Sequence, residues 1–144
     1  MAVQQNYTNH TRWYPLFHFV VMPLLALNFL SHLVRLIMTP NWSLFFWSIL
    51  GATLILLALA ARLMALRAQD RLIRLEERLR YRKVLPAELA KRAEGLRLGQ
   101  IIALRFASDD EIGGLVERSL NGEFEKPRDI KKAIKSWRAD HLRV

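Results

Sequence analysis

The sequence predicts an all-α chain: a transmembrane helical hairpin whose second helix is extended as a cytoplasmic stalk, followed by a small C-terminal helical domain. Three observations carry this reading. Residues 16–34 include no formal charge, residues 44–61 are all apolar or weakly polar, and no Gly or Pro interrupts residues 52–85. Each apolar run approaches the roughly 20 residues needed to cross a bilayer, and two such runs exceed what one small core can bury. The chain divides into a polar segment 1–12, a hairpin with its stalk over 13–85, and a helical domain over 86–144.

The first span opens with Trp13 and Tyr14, aromatics suited to a membrane–water interface, and with Pro15, which fits a first helical turn. Pro23 should kink it, because proline removes one backbone donor. A basic leading region and an A-x-A-like cleavage site are missing, so the run reads as a span and not as a signal peptide. Thr39, Pro40, Asn41, Trp42 and Ser43 form a link short enough to fold the helices back on each other. Asn41 or Ser43 is the expected cap of the second helix, and Trp42 and Trp47 would mark the far interface.

Charge sets the orientation. Of the net +9, residues 62–83 carry +5, from eight Arg/Lys against Asp70, Glu76 and Glu77. This collar, with Arg62, Arg67, Arg71, Arg74 and Arg78, follows the second span, whereas the hairpin link has no basic residue. Basic residues stay cytoplasmic, so both termini should face the cell interior. The Asn-x-Ser/Thr triplets at Asn6, Asn9 and Asn41 read as chance.

The second helix should run over 43–85, about 64 Å, until Pro86 ends it. Its outer half carries a narrow apolar stripe of Ala68, Leu72, Leu75 and Leu79. The expected partner of that stripe is the chain's own C-terminal domain. A two-heptad coiled coil in a dimer and an anionic membrane surface are the other two readings. Beyond Pro86 the pattern gives helices over 86–94 and 98–106, then a capping box at 108–111 that starts a helix ending near Asn121 and Gly122. Nothing local explains Gly113 and Gly114 inside it. A last helix over 127–142 would carry Ile130, Ile134 and Trp137 on one face and Arg128, Lys131, Lys132, Lys135 and Arg138 on another.

Four polar residues, His18, Asn28, His32 and Arg35, fall on one side of the first span. Polar groups in a bilayer usually meet protein, so a helix–helix contact is the main reading. Ser48, Gly51, Ala52 and Ala58 form a small-residue seam on the second span that would receive it. His18 and His32 are weaker candidates for haem or pigment ligands, since the second span offers no facing histidine. No metal or other cofactor is expected. With no cysteine, thiolate chemistry and disulfides are excluded. P-loop, G-x-G-x-x-G, G-x-S-x-G and H-E-x-x-H motifs are all missing. The 121–126 spacer is longer than a helix-turn-helix uses, and nucleic acid is an unfavoured partner.

Residues 5–12 (QNYTNHTR), 103–109 (ALRFASD) and 135–141 (KSWRADH) resemble stretches of a family of small bacterial two-span membrane proteins of unknown function. The resemblance implies a bacterial inner-membrane location and supplies no catalytic residues. The expectation is therefore a non-enzymatic accessory or scaffolding subunit of a larger membrane complex, for which an energy-transducing assembly, respiratory or photosynthetic, is one host that fits. The partners would be the lipid bilayer, other subunits or a second copy, and anionic headgroups along the collar. The rival expectation is a membrane-tethered basic module that binds anionic lipid or nucleic acid.

Overall fold

The computed structural model describes residues 6–8 and 13–140. The expectations that rest on Asn9, His10, Arg12 and His141 lie outside them. Every regular element among the described residues is a helix: α1 Met22–Met38, α2 Trp42–Val84, α3 Ala87–Ala93, α4 Leu98–Leu104, α5 Ile112–Leu120 and α6 Pro127–Ala133. A π-helical turn, Leu16–Val21, leads into α1 without a break. Together they form a 23-residue apolar helix, and it and the 43-residue α2 are long and apolar enough to cross a membrane.

The expected kink at Pro23 takes the form of that wide turn. Pro23 has no N–H to give the carbonyl one turn back, and Met22 instead donates to the Phe17 carbonyl, five residues away. Asn41 is the cap: its side-chain oxygen accepts from the Ser43 N–H at 2.7 Å.

Two compact units share the chain. One holds Trp13–Leu66; the other holds residues 67–140 with residues 6–8. The division falls within α2 and not at Pro86. In the first unit the contacts between α1 and α2 run in reverse chain order. Arg62 lies over the Phe17 ring at 5.9 Å, Gly51 faces Phe29, and Trp47 stacks on His32 with ring centroids 5.9 Å apart.

In the second unit α2 contributes a wall of the core. Ile73, Glu77, Tyr81 and Leu85, four residues apart, are all buried. This corrects the stripe assignment. Leu72, Leu75 and Leu79 are exposed, and the packed face is the opposite one. The sequence hid it because Glu77 interrupts the apolar pattern, while its charge is met by Arg80 on the next turn of α2 and by Arg138 from the C-terminal segment. The core continues through Ala93, Ile101, Leu104, Phe106, Ile112, Val116 and Ile130. Each large aliphatic buried here contributes about 1.5–3 kcal/mol relative to exposure. A region as small as 86–144 is marginal alone, and Tyr81 of α2 and Leu85 just after it enlarge its core.

α3 and α4 fall close to where Pro86 and Gly95 place them. α5 ends as expected in a Schellman turn. Gly122 takes a φ of 79°, Glu123 N–H donates to the Arg118 carbonyl at 3.1 Å, and Gly122 N–H donates to the Ser119 carbonyl at 3.3 Å. Its start differs: the capping box does not form. Glu111 instead turns its carboxylate to the backbone N–H groups of Lys135 and Ser136, both at 3.1 Å.

That contact also truncates the last helix, which ends at Ala133 and not near residue 142. Ile134 is extended, and the following segment pairs antiparallel with Ala107 through Trp137. Arg138 N–H donates to the Phe106 carbonyl at 2.7 Å, and Trp137 packs 5.1 Å from the Phe106 ring. These bonds replace the helical ones that residues 135–138 would have made.

The glycine pair within α5 has no steric cause. A Cβ on Gly113 would meet only Leu85 Cδ2, at an ordinary 3.7 Å, and one on Gly114 would meet nothing within 4 Å. Gly114 is exposed and helical. Gly114→Ala should raise stability by about 1 kcal/mol, because alanine loses less backbone entropy on folding. Thermal unfolding of the two proteins checks this.

Candidate functional site

Two constellations stand out, one in each unit. The first is the side of α1 that the helix pair leaves open. The half-buried residues of α1, including Leu25, Phe29, His32 and Leu36, recur every three or four positions and form the face toward α2. The expected polar face is therefore split. His32 joins the contact, its ring parallel to Trp47, with its Nδ1 buried and unpartnered among the described residues. Asn28 and Arg35 remain exposed, and Ser31 is exposed beside them with its hydroxyl bonded to the Asn28 carbonyl at 2.8 Å. Asn28 lies near the middle of the 23-residue helix.

His18 is set apart by the wide turn. Its ring meets Trp13 and Phe17 edge-on at 4.9 and 5.1 Å, and its Nδ1 lies 3.0 Å from the Tyr14 carbonyl, to which it can donate. Fourteen residues of helix separate His18 from His32, about 21 Å, so the two cannot share one metal centre.

On α2, Gly51 and Ser48 are buried, with Ala52 and Ala58 half-buried. Ser48 bonds back to the Leu44 carbonyl at 2.8 Å, which satisfies its hydroxyl within the helix. The seam receives Phe29 and not the polar face. A Cβ on Gly51 would come within 3.2 Å of the Phe29 Cα. Phe29 escaped the sequence reading, although its spacing from Leu25, His32 and Leu36 is the signal that finds it.

The second constellation is a buried charge cluster around Glu77. Its carboxylate meets Arg80 at 3.2 Å and Arg138 at 3.4 Å. Arg80 also meets Asp109 at 2.6 Å and donates to the Ala107 carbonyl at 2.7 Å. Arg105 pairs with Asp140 at 3.2 Å. Glu77, Arg80, Arg105, Arg138 and Asp140, with Ile73 and Glu76, line a cleft of about 620 Å³. Burial outweighs the nearby arginines and raises the Glu77 carboxyl above its ordinary value of 4.5. Burial, reinforced by Glu77, pushes the Tyr81 phenol up as well. Carboxylates and guanidiniums are paired one against another here, and the cluster ties the 107–109 turn and the 138–140 segment to α2. Glu77, Arg80, Arg105 and Asp140 were not foreseen, since their partners lie 29 or more residues apart in three of the pairs.

The end of α6 divides the other basic candidates: Arg128, Lys131 and Lys132 lie on it at helical spacing, and Lys135 and Arg138 follow it. With α6 ending at Ala133, Arg128 pairs with Asp129 at 3.7 Å, Lys131 lies 5.5 Å over the Phe106 ring and Lys132 5.8 Å over Tyr7, while Arg138 turns to Glu77. Lys135 is exposed. In the collar Arg62 contacts Phe17, Arg67, Arg71 and Arg74 are exposed, and Arg78 donates to the Glu94 carbonyl at 3.4 Å.

The profile of a family described as "Family of unknown function (DUF6526)" matches residues 1–144. No curated protein and no solved structure matches the chain.

Proposed function

The chain belongs to this family of unknown function, and from its own residues we propose a non-enzymatic accessory or scaffolding subunit of a larger membrane complex. Residues 16–38 and the first half of α2 form a two-span hairpin in a bacterial inner membrane with both termini cytoplasmic. The length and hydropathy of the two helices support spanning. The reversed contact order of residues 17, 29 and 32 against 62, 51 and 47 supports the hairpin. The collar after the second run supports the orientation, and its exposed arginines suit anionic headgroups on the cytoplasmic leaflet.

One observation carries the subunit role: Asn28 is exposed near mid-span of an apolar helix, on the same side as Ser31 and Arg35. An amide facing hydrocarbon loses its hydrogen bonds with water and gains none. A neighbouring membrane helix that bonds it removes that cost. Asn28→Leu should leave the chain folded and membrane-bound while it releases the chains that co-purify with it in mild detergent. An unchanged set of co-purifying chains and an unchanged particle size in N28L would remove the reading's support.

A further inference from the structure

The side of α2 turned away from its own domain is apolar and uncovered. Leu72, Leu75 and Leu79 are 55–56% exposed, while Ile73, Glu77 and Tyr81 on the other side are buried. At 100° per residue the two stripes lie roughly 170° apart. Single exposed leucines are ordinary, but these recur with Ala68 at steps of four, three and four, the spacing of a heptad seam. With Leu72 and Leu79 at a and Ala68 and Leu75 at d, Arg71 falls at g and Glu76 at e. Ile73, Tyr81 and Glu77 then fall at b, c and f, the positions that a two-stranded coil leaves outside. Both faces of α2 are thereby accounted for: one holds the domain and the other is shaped for a helix.

We propose that α2 pairs with α2 of a second copy of this chain, as a short parallel coiled coil through Leu72, Leu75 and Leu79. Charge selects both occupant and direction. Parallel pairing sets each g residue against the following e residue of the other helix, which brings Arg71 to Glu76 of the second copy, twice by symmetry. Antiparallel pairing sets g against g and opposes Arg71 to Arg78 of the second copy. The next parallel g–e pair, Arg78 with Lys83, is like-charged, and the fold relieves it. Arg78 is drawn to the Glu94 carbonyl at 3.4 Å, and Arg82, at the following d position, is drawn to the Glu94 carboxylate at 3.1 Å. The seam thus ends where its own domain takes those side chains away. An anionic lipid surface would favour arginine on both flanks, whereas Glu76 occupies one of them. The inference rests on this face and its charge order and does not depend on membrane insertion.

The absence of native cysteine makes the test direct, because an introduced thiol is the sole one in each chain. The full-length chain carrying Leu72→Cys or Leu75→Cys is oxidised in mild detergent and in native membranes. Facing a and d positions lie within disulfide reach, so both variants should give a covalent dimer, and Arg74→Cys, off the seam, should give about tenfold less. In the L75C background, Arg71→Glu alone or Glu76→Arg alone should lower cross-linking about tenfold, a difference near 1.4 kcal/mol. The two reversals together should restore it. Monomer at both seam positions, equal cross-linking at Arg74→Cys, or failure of the double reversal to restore the dimer would each overturn the proposal. So would monomer accompanied by charge-dependent binding to anionic vesicles, which would assign the stripe to lipid. Whether the chain sediments with membranes is read separately and bears on the spanning proposal alone.

Discussion

Arg80→Met should destabilise the second unit by about 3 kcal/mol at neutral pH, because it removes one partner of a buried ion pair. Arg80 is 10% exposed and serves three acceptors at once: Glu77, Asp109 and the Ala107 carbonyl. Methionine preserves most of the packed stem but leaves the 6%-exposed Glu77 carboxylate with Arg138 as its remaining close cation. It also strips the buried Ala107 carbonyl of a donor, a cost comparable to a lost hydrogen bond. The loss should depend on pH with a definite sign. The folded-state value of Glu77 is raised above 4.5, so the native state holds a proton that the unfolded chain has released. Its contribution is full below 4.5 and is lost as pH rises through the folded value. Arg80 lowers that value in the wild-type protein, so R80M raises it further and extends the falling window upward. The stability difference between the two proteins should be smaller near pH 4.5, where the loss of the Ala107 contact remains, and largest at pH 7 and above. Denaturant unfolding at the two pH values measures it. A difference independent of pH would mean that Glu77 is not the group through which Arg80 acts.

Gly51→Leu should separate the two long helices of the first unit. A Cβ at this position would lie 3.2 Å from the Phe29 Cα and 3.3 Å from its Cβ. Both of those atoms are fixed to the α1 backbone and cannot swing aside as a side-chain tip would. The helices must move apart, and the His32–Trp47 stack then opens with them. Overpacking of this kind costs about 1–3 kcal/mol. Within a bilayer little apolar driving force opposes the separation, since lipid is as apolar as leucine. The unfolding midpoint of G51L in detergent should fall well below that of wild type, with Gly51→Ala in between. Equal midpoints for all three would show that the close approach at Phe29 contributes nothing.

Elements punctuated by local chemistry were legible in the sequence. Asn41 opens α2, Pro86 closes it, Gly95 ends α3 and Gly122 ends α5, because each acts through its own backbone or side chain within a few residues. What escaped was decided by contacts distant in the chain. No local pattern announces that Glu111 will hold the N–H groups of Lys135 and Ser136, yet that contact ends α6 early and leaves Lys135 and Arg138 outside the helix expected to carry them. The packed face of α2 escaped for a related reason. Leucine stripes look like core, but a stripe interrupted by Glu77 can be buried because Arg80, one turn on in the same helix, and Arg138, 61 residues away, meet its charge. Of the four polar residues read as one face of α1, His32 packs against α2. Bulk decided the packed face, through Phe29 against Gly51, and left Asn28 and Arg35 outside.

The proposed subunit role requires that the chain cross a bilayer, and impermeant thiol labelling of spheroplasts tests that proposal most directly. The chain lacks cysteine, so Pro40→Cys in the short link and Glu88→Cys in α3 each report one site. Pro40→Cys should be labelled from outside on intact spheroplasts, and Glu88→Cys only after the membrane is opened. Labelling of Glu88→Cys in intact spheroplasts, or recovery of the chain in the aqueous fraction after lysis, would contradict the two-span arrangement.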